Sequence, residues 1–590
     1  MLNRSEFEVL YACMQGHAST QRCIAEASGL SLGSVNKAVK SLAKAGLVDA
    51  ELALTDAGRV ALDAYRVDSA IILAAGAGTR FAPLSFERPK ALFEVRGEVL
   101  IERLIRQLRQ AGIERICVVT GYMKESLFYL EDEFGVAITV NPEYATRNNH
   151  SSVWCARRHL GSSYIISSDQ YFADGLFCSH CFAPFCTASR HEGRTDGLTL
   201  KLGSHGRVRS IARGGNDALR MRGPVYLDAD SSRILLNALE RDYDLPETRG
   251  KLWDEVMADH LTELSLYANE VPESAVTEFD FLTDLVAFDS DFFANVDSGI
   301  LDNICATLNC TRDEISEVQP VKAGLTNLST LFSARGEKFI YRHPGTGTNE
   351  LINRRAETFA LEVAKELGLD DTFIYEDPDE GWKISRYIEG CSELDYEDEL
   401  QVRRALALTR RLHESGRKSP YSFDFWDEAE KIVGLLKDMR YGLPRDFNSL
   451  AETIAGVAAK MRAEAGEPVL CHNDLYGPNF LVRGEEMRLI DWEYAAMGDP
   501  ACDLGNFVAQ GSGYSVEQTL GILPLYYGRP VTPEEERHCL AAVAVVGWYW
   551  YVWAMYKEAM GNPVGEWLYV WYRAAKRFAA AAEQRYAAAE

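Results

Sequence analysis

Residues 469 to 500 read VLCHNDLYGPNFLVRGEEMRLIDWEYAAMGDP, placing His472, Asn473, Asp474 and Asn479, then a second acid, Asp491, between apolar runs. A carboxylate among hydrophobic strands is costly unless it is paired, hydrogen-bonded or bound to a metal. The stretch offers Asp474 no nearby Lys or Arg. Any fold that holds it must build a polar site inside an apolar frame, and a metal ion is the simplest compensating charge.

A chain of 590 residues exceeds what one core supports, so about two to four domains are expected. Its 47% apolar and 25% charged residues describe an ordinary globular protein. The balance of 62 basic against 87 acidic side chains gives a net charge of -25. That balance disfavours bulk attraction to nucleic acid or to anionic membranes and points to small-molecule chemistry. The N-terminus MLNRSEFEVLYACMQG has no basic head and apolar core of a signal peptide, and the 13 cysteines are scattered. Both suggest reduced thiols and a cytoplasmic setting. FCSHCFAPFC, with Cys178, His180, Cys181 and Cys186, lacks the second paired half of a zinc site and reads as free thiols on a helix. LAAVAVVGWYWYVWAMY, residues 540 to 556, sits at the short limit for crossing a bilayer and carries Trp548, Trp550 and Trp553. A buried aromatic helix without membrane insertion is expected.

Residues 1–66 form a first expected domain. STQRCIAEASGL reads as a capped helix closed by Gly29, SLGSVNKAVKSLAKAG as a second ended by Gly46, and LVDAELALTDAGR alternates like a small wing. This resembles the winged helix-turn-helix of bacterial regulators. The second helix carries Lys37, Lys40 and Lys44 with no acid between them, suited to DNA phosphates, with Ser34 and Asn36 placed for base edges. Residues 1–65 nevertheless carry six basic against seven acidic side chains, so a docking or dimerisation module is the alternative. A homodimer would present the lysine face alone.

Residues 67–290 form the second. A buried-strand run ending at Ala74 passes through Ala75, Gly76, Ala77, Gly78 and Thr79 to Arg80 and Lys90. Small residues let backbone N–H groups close on a triphosphate, and the two cations neutralise it. The helix and strand that follow continue a βαβ pattern, predicting a Rossmann-like, doubly wound sheet. The string from Leu73 to Leu92 resembles the signature of sugar-phosphate and phosphocholine nucleotidyltransferases. The resemblance implies CTP as substrate and Mg²⁺ on Asp169, in YIISSDQYF, and on Asp254, in KLWDEV. It also implies base contacts from Tyr122 and substrate contacts around Asn141 to Ser152. Trp253, Tyr226, Glu278 and Asp280 would enclose the substrate ammonium. Gly197 stands near the place where the family pattern has an aromatic residue, which leaves ethanolamine phosphate as an alternative substrate.

Residues 300–590 form the third. A hairpin with a Gly-rich turn at Gly324, Thr326 and Asn327, a strand ending at Arg342 and a helix carrying Glu357 precede the polar loop. A turn over phosphates, a strand cation, a helix Glu, a catalytic Asp and two metal ligands make a phosphotransfer layout. HNDLYGPNFL, LIDWEY, GLTN, YRHPG and ISRYIEG resemble bacterial choline kinases, in the choline/aminoglycoside kinase-like fold. The resemblance implies ATP as substrate, Asp474 as catalytic base, and Mg²⁺ on Asn479 and Asp491. Choline has no N–H donors and is recognised through aromatic faces, for which Trp550, Trp553 and Tyr569 are the candidates.

The fused activities imply one route: ATP and choline give phosphocholine, and CTP and phosphocholine give CDP-choline. The alternatives are the same reactions on ethanolamine or another amino alcohol, and a choline-responsive DNA-binding regulator whose enzyme-like domains act as sensors.

Overall fold

A computed structural model describes residues 2–17, 20–321, 327–345, 352–511 and 513–589. The chain divides into two compact units, Met1–Leu301 and Asp302–Glu590.

The first unit opens with helices Arg4–Met14, Gln21–Ser28, Leu32–Lys44 and Asp56–Asp63. Each starts where a side-chain oxygen accepts an otherwise unpaired backbone N–H: Asn3, Thr20, Ser31 and Thr55 are the caps. The expected wing shrinks to a single bridge, Val48 with Leu54, and the TDAGR end of that segment is helical. Thr55 explains the change, because it accepts from Gly58 N and donates to Gly46 O, starting a helix where a second strand would run. Gly58 also fits where no other residue can, since an added Cβ would lie 2.1 Å from Leu47 O.

Phe7, Tyr11 and Tyr65 then pack against Phe182 and His180. The segment bearing Cys178 and Cys181 is therefore not a helix: Val67 N donates to Ser179 O and Cys181 N to Tyr65 O, while Cys186 lies on the strand Phe185–Arg190. Tyr11, Tyr164 and burial occupy these thiols as packing groups, and none of the 13 cysteines forms a disulfide.

Strands Ser163–Ser167, Ser69–Ala74, Arg115–Thr120 and Ala137–Val140 lie side by side and parallel. Ser69–Ala74, buried at every position, is central, which is why its sequence shows no alternation. The sheet continues through mainly antiparallel pairings, Leu219–Leu227 next to Ser163–Ser167, to nine strands in all, with Tyr267–Glu270 parallel to Phe185–Arg190. Only its first part is doubly wound. Asp169 follows the strand Ser163–Ser167 and so emerges beside the loop that follows Ala74.

The second unit holds a five-stranded antiparallel sheet of Ile315–Val321, Asn327–Ala334, Glu337–Pro344, Lys383–Arg386 and Phe373–Glu376. Helix Arg354–Glu366 and a largely helical region follow. The 27-residue helix Pro533–Ala559 is long and apolar enough to cross a membrane, but 94% of its apolar window is buried within the fold. It packs against helices Pro500–Ala509, Phe425–Asp438, Phe447–Glu464 and Trp567–Ala589.

Gly58→Ala is expected to destabilise the N-terminal helices by about 1–3 kcal/mol, the usual cost of overpacking. Limited proteolysis of the full chain checks this: cleavage within the first 65 residues should accelerate while the rest resists as before.

Candidate active sites

In the first unit, the loop after Ala74 is gripped from the neighbouring strand. Tyr122 N donates to Ala75 O at 3.0 Å, and the Tyr122 hydroxyl donates to Ser85 O at 2.9 Å. Tyr122 thus holds the phosphate-loop backbone with both its main chain and its ring. Thr79 and Arg80 lie on a short 3-10 turn entered through Gly78 at φ 61°, and Lys90 begins another. The structure brings Lys90 to Asp169, the ammonium donating to the carboxylate in an ion pair, and Arg80 Nη1 to Asp280 Oδ1 at 3.0 Å. Phe279 N donates to Asp169 O, fixing the Glu278–Asp280 segment beside that acid. Arg220 pairs with Glu278 at 2.7 Å and with Asp280 at 3.5 Å. Burial raises the Glu278 carboxyl above its ordinary range. Asn141 Nδ2 donates to the hydroxyls of Ser151 and Ser152, tying the expected substrate segment to its own strand.

Three placements differ from expectation. Tyr226 is not a pocket wall: it is 2% exposed and packs on Tyr164 and Phe185 within the core. Trp253 is 5% exposed and belongs to the core between sheet and helices, its backbone N–H donating to Asn149 Oδ1. Alternation on a strand or helix start does not tell a core-facing ring from a pocket-facing one. Glu278 and Asp280 are engaged by arginines rather than arranged around an aromatic box. Gly197 shows why: a Cβ there would lie 2.8 Å from Arg220 Nε, so this guanidinium fills the space an aromatic side chain would need. Asp254 is half-buried at the start of helix Trp253–Asp259, and desolvation of its carboxyl together with the charge of Glu255 pushes it up to about 6. A cation is the compensation such a group calls for.

In the second unit, Arg342 Nη1 meets Glu357 Oε1 at 2.7 Å, and its Nη2 meets Glu376 at 2.8 Å. Glu357 also takes Lys383 at 3.1 Å and Arg354 at 3.0 Å, two partners with no signature in the sequence. Burial alone would raise the Glu357 carboxyl, but Arg342, Lys383 and Arg354 overcome it and hold the group well below the ordinary value. Arg342 further reaches Asp491 Oδ1 at 3.5 Å, linking the sheet to the polar loop. Gly324 and Thr326 lie outside the described residues, and of Asn327 only its place at the start of a strand is described.

The polar loop is held from beneath. Asp503 Oδ2 accepts His472 N at 2.8 Å, and its Oδ1 accepts Asn473 N at 2.6 Å, in a loop where Asn473 adopts φ 62°. His413 Nε2 meets Asp503 at 2.9 Å, and Tyr526 meets His413 Nδ1 at 2.6 Å. His472 Nε2 donates to Ile490 O, leaving Nδ1 to accept Asp474 N. The Asp474 carboxylate takes Asn479 Nδ2 on one oxygen at 3.0 Å and Gln510 Nε2 on the other at 2.6 Å. Burial, then the charge of Asp491, pushes this carboxyl well above the ordinary value. With Asn479 Nδ2 given to Asp474, the ligand atom Asn479 has left is Oδ1. Asn479 and Asp491 then offer hard oxygen donors of the kind Mg²⁺ takes, as Asp169 and Asp254 do singly in the first unit, where Asp169 is held by Lys90 and Asp254 lies beside Glu255 and Arg213.

Trp550 and Trp553 are each 4% exposed, with ring centroids 5.4 Å apart. The rings that join them are Trp571 and Tyr494, whereas Tyr569 is 62% exposed and stacks outward on Tyr572. Trp571, two positions on, takes the place expected of Tyr569, because helix Trp567–Ala589 turns that face inward. Lys557 Nζ already covers the Trp553 ring at 5.1 Å. Asp503, Asn506 and Gln510 are not among the residues expected from the sequence. Acids and amides inside the apolar run DPACDLGNFVAQ were the available signal.

Comparison with known proteins gives three matched regions: a wHTH-PRTase associated family at residues 7–75, a MobA-like NTP transferase domain at 70–186 and a phosphotransferase enzyme family at 317–534. The chain is 35% identical over 232 residues to a 2-aminoethylphosphonate cytidylyltransferase of Lancefieldella rimae, covering 38% of this chain and 93% of that protein. It is 31% identical over 215 residues to the choline-phosphate cytidylyltransferase of Streptococcus pneumoniae, covering 36% and 94%. Over 256 residues it is 26% identical to the protein LicA of Haemophilus influenzae, covering 41% and 94%.

Asp503→Ala would strand two buried backbone N–H groups, with an expected cost of about 2–5 kcal/mol to the second unit. A drop in that unit's thermal midpoint, with the first unit's transition unmoved, is the outcome to measure.

Proposed function

The chain belongs to the cytidylyltransferase family and joins to it a phosphotransferase domain, from which we propose that it makes CDP-choline in two steps. In the first, ATP phosphorylates choline. In the second, an oxygen of phosphocholine attacks the α-phosphorus of CTP, and pyrophosphate leaves. The observation that carries this reading is the presence in one chain of two separate constellations, Lys90 with Asp169 and Asp474 with Asn479, each built to handle phosphate. Of the two cytidylyltransferase relatives, one is named for a phosphonate and one for a phosphate ester. A kinase makes O–P bonds and cannot supply the C–P bond of a phosphonate, so the fusion favours the ester. Ethanolamine phosphate remains the second substrate to test, because Arg220 occupies the space beside Gly197.

In the kinase site, Asp474 takes the proton of the acceptor hydroxyl while Asn479 and Gln510 keep its carboxylate oriented. Arg342, steadied by Glu357, faces the ATP phosphates. In the transferase site, Lys90 and Arg80 rest on Asp169 and Asp280, and turn to the triphosphate when CTP enters. Mg²⁺ on Asp169 and Asp254, and on Asn479 and Asp491, would neutralise charge on the phosphate oxygens. Thirteen free thiols suit a cytoplasmic enzyme drawing on ATP and CTP.

Asp474→Asn should abolish ATP-dependent phosphorylation of choline while CTP turnover with phosphocholine stays near wild type, and Lys90→Ala should do the reverse. Loss of both activities from either change would overturn the two-site reading. Product identification by mass, with choline and ethanolamine side by side, settles the acceptor.

The N-terminal helices support a second role. Lys37, Lys40 and Lys44 are exposed on helix Leu32–Lys44, whereas Asn36 is engaged with Gln21 and Ser34 with Ser31. That favours phosphate contact over base reading, so binding to DNA is expected to be weak and unspecific, with a log-log salt slope of roughly -3 per subunit. Mobility shifts of the full chain across a salt series measure it. No shift at low salt would leave a docking or dimerisation module.

A further inference from the structure

The buried amides between the catalytic loop and the tryptophan cluster form a directed chain. Trp550 Nε1 donates to Asn506 Oδ1 at 2.8 Å, and Asn506 Nδ2 donates to Cys502 O at 3.1 Å. Gln510 Nε2 donates to Asn506 Oδ1 at 3.2 Å and to Asp474 Oδ1 at 2.6 Å. Indole N–H is only a donor, a carboxylate only an acceptor, and a backbone carbonyl only an acceptor. These constraints leave each amide one orientation: Asn506 must turn its oxygen to Trp550, and Gln510 must turn its nitrogen to both Asn506 and Asp474. Asn506 is 0% exposed and Gln510 4%, so water offers no alternative partner.

We propose that Gln510 is a positioning residue that fixes the Asp474 carboxylate, and that Trp550 acts through Asn506 and Gln510 on that carboxylate as well as through its ring. The inference rests on the reading of the second unit as an amino-alcohol kinase. Asp474 Oδ2 is fixed by Asn479, so Gln510 supplies the second point that sets the plane of the carboxylate. With the plane set, the remaining lone pairs face the acceptor hydroxyl. Trp550 lies against Tyr494, Trp553 and Trp571 in the core, so packing holds its indole in place and its N–H keeps one direction toward Asn506.

The test uses the full chain and steady-state kinetics with choline and ATP for wild type, Trp550→Phe, Gln510→Met and the double variant. Phenylalanine keeps an aromatic face but has no N–H, and methionine keeps the length of glutamine without its donor. Each single change is expected to lower kcat about tenfold, a cost in keeping with a misaimed catalytic group. The KM values for choline and ATP should stay within about threefold, because Phe preserves the aromatic surface. The double variant should be no slower than Gln510→Met, since both changes break one chain. A kcat for Trp550→Phe within twofold of wild type overturns the proposal, as do single effects that multiply in the double variant. If Gln510→Met loses the second unit's thermal transition, the kcat of Trp550→Phe decides alone. A wild-type chain that phosphorylates no amino alcohol sinks the kinase reading, whereas an active wild type with an unaffected Trp550→Phe sinks only this inference.

Discussion

Asp503 accepts two backbone N–H groups from the loop that carries Asp474, and the shape of that loop depends on this pair of hydrogen bonds. Asn473 sits at φ 62° and Asp491 at φ 65°, conformations that side-chain-bearing residues adopt only when the surroundings over-determine them. A fully buried carboxylate can do this because its two oxygens bind adjacent amides in a fixed geometry. Asp503 is itself held by His413, and His413 by Tyr526. The loop is thus held against a rigid helical base, and Asp474, Asn479 and Asp491, all carried between residues 474 and 491, are presented together.

The same logic governs the first unit with the charges exchanged. There the cations that the proposed reading turns toward the triphosphate are already ordered, Lys90 on Asp169 and Arg80 on Asp280. Such pairs keep two long side chains from sampling many rotamers, so less order has to be gained when a nucleotide binds. Glu357 plays the opposite part in the second unit: one buried acid gathers Arg342, Lys383 and Arg354, and the cluster ties the strands to the helix beside them. Removing any one cation leaves the others to share an acid they already contact, whereas removing the acid leaves three cations without it.

Local motifs and their chain order are determined by the sequence. Ala74 to Lys90, the strand ending before Asp169, and HNDLYGPNFL with LIDWEY were readable because phosphate chemistry demands glycines, cations and acids at short fixed spacings. Helix starts at Thr20 and Ser31 were readable because capping is local. The tertiary structure alone decided which face each side chain takes and what it meets. Tyr226 and Trp253 entered the core, Trp571 displaced Tyr569, Arg220 filled the space at Gly197, and Gln510 reached Asp474 across 36 positions. The physical reason is one of range: caps, turns and phosphate loops are fixed by neighbours a few residues away, while burial and hydrogen-bond partnership depend on elements that only packing brings together.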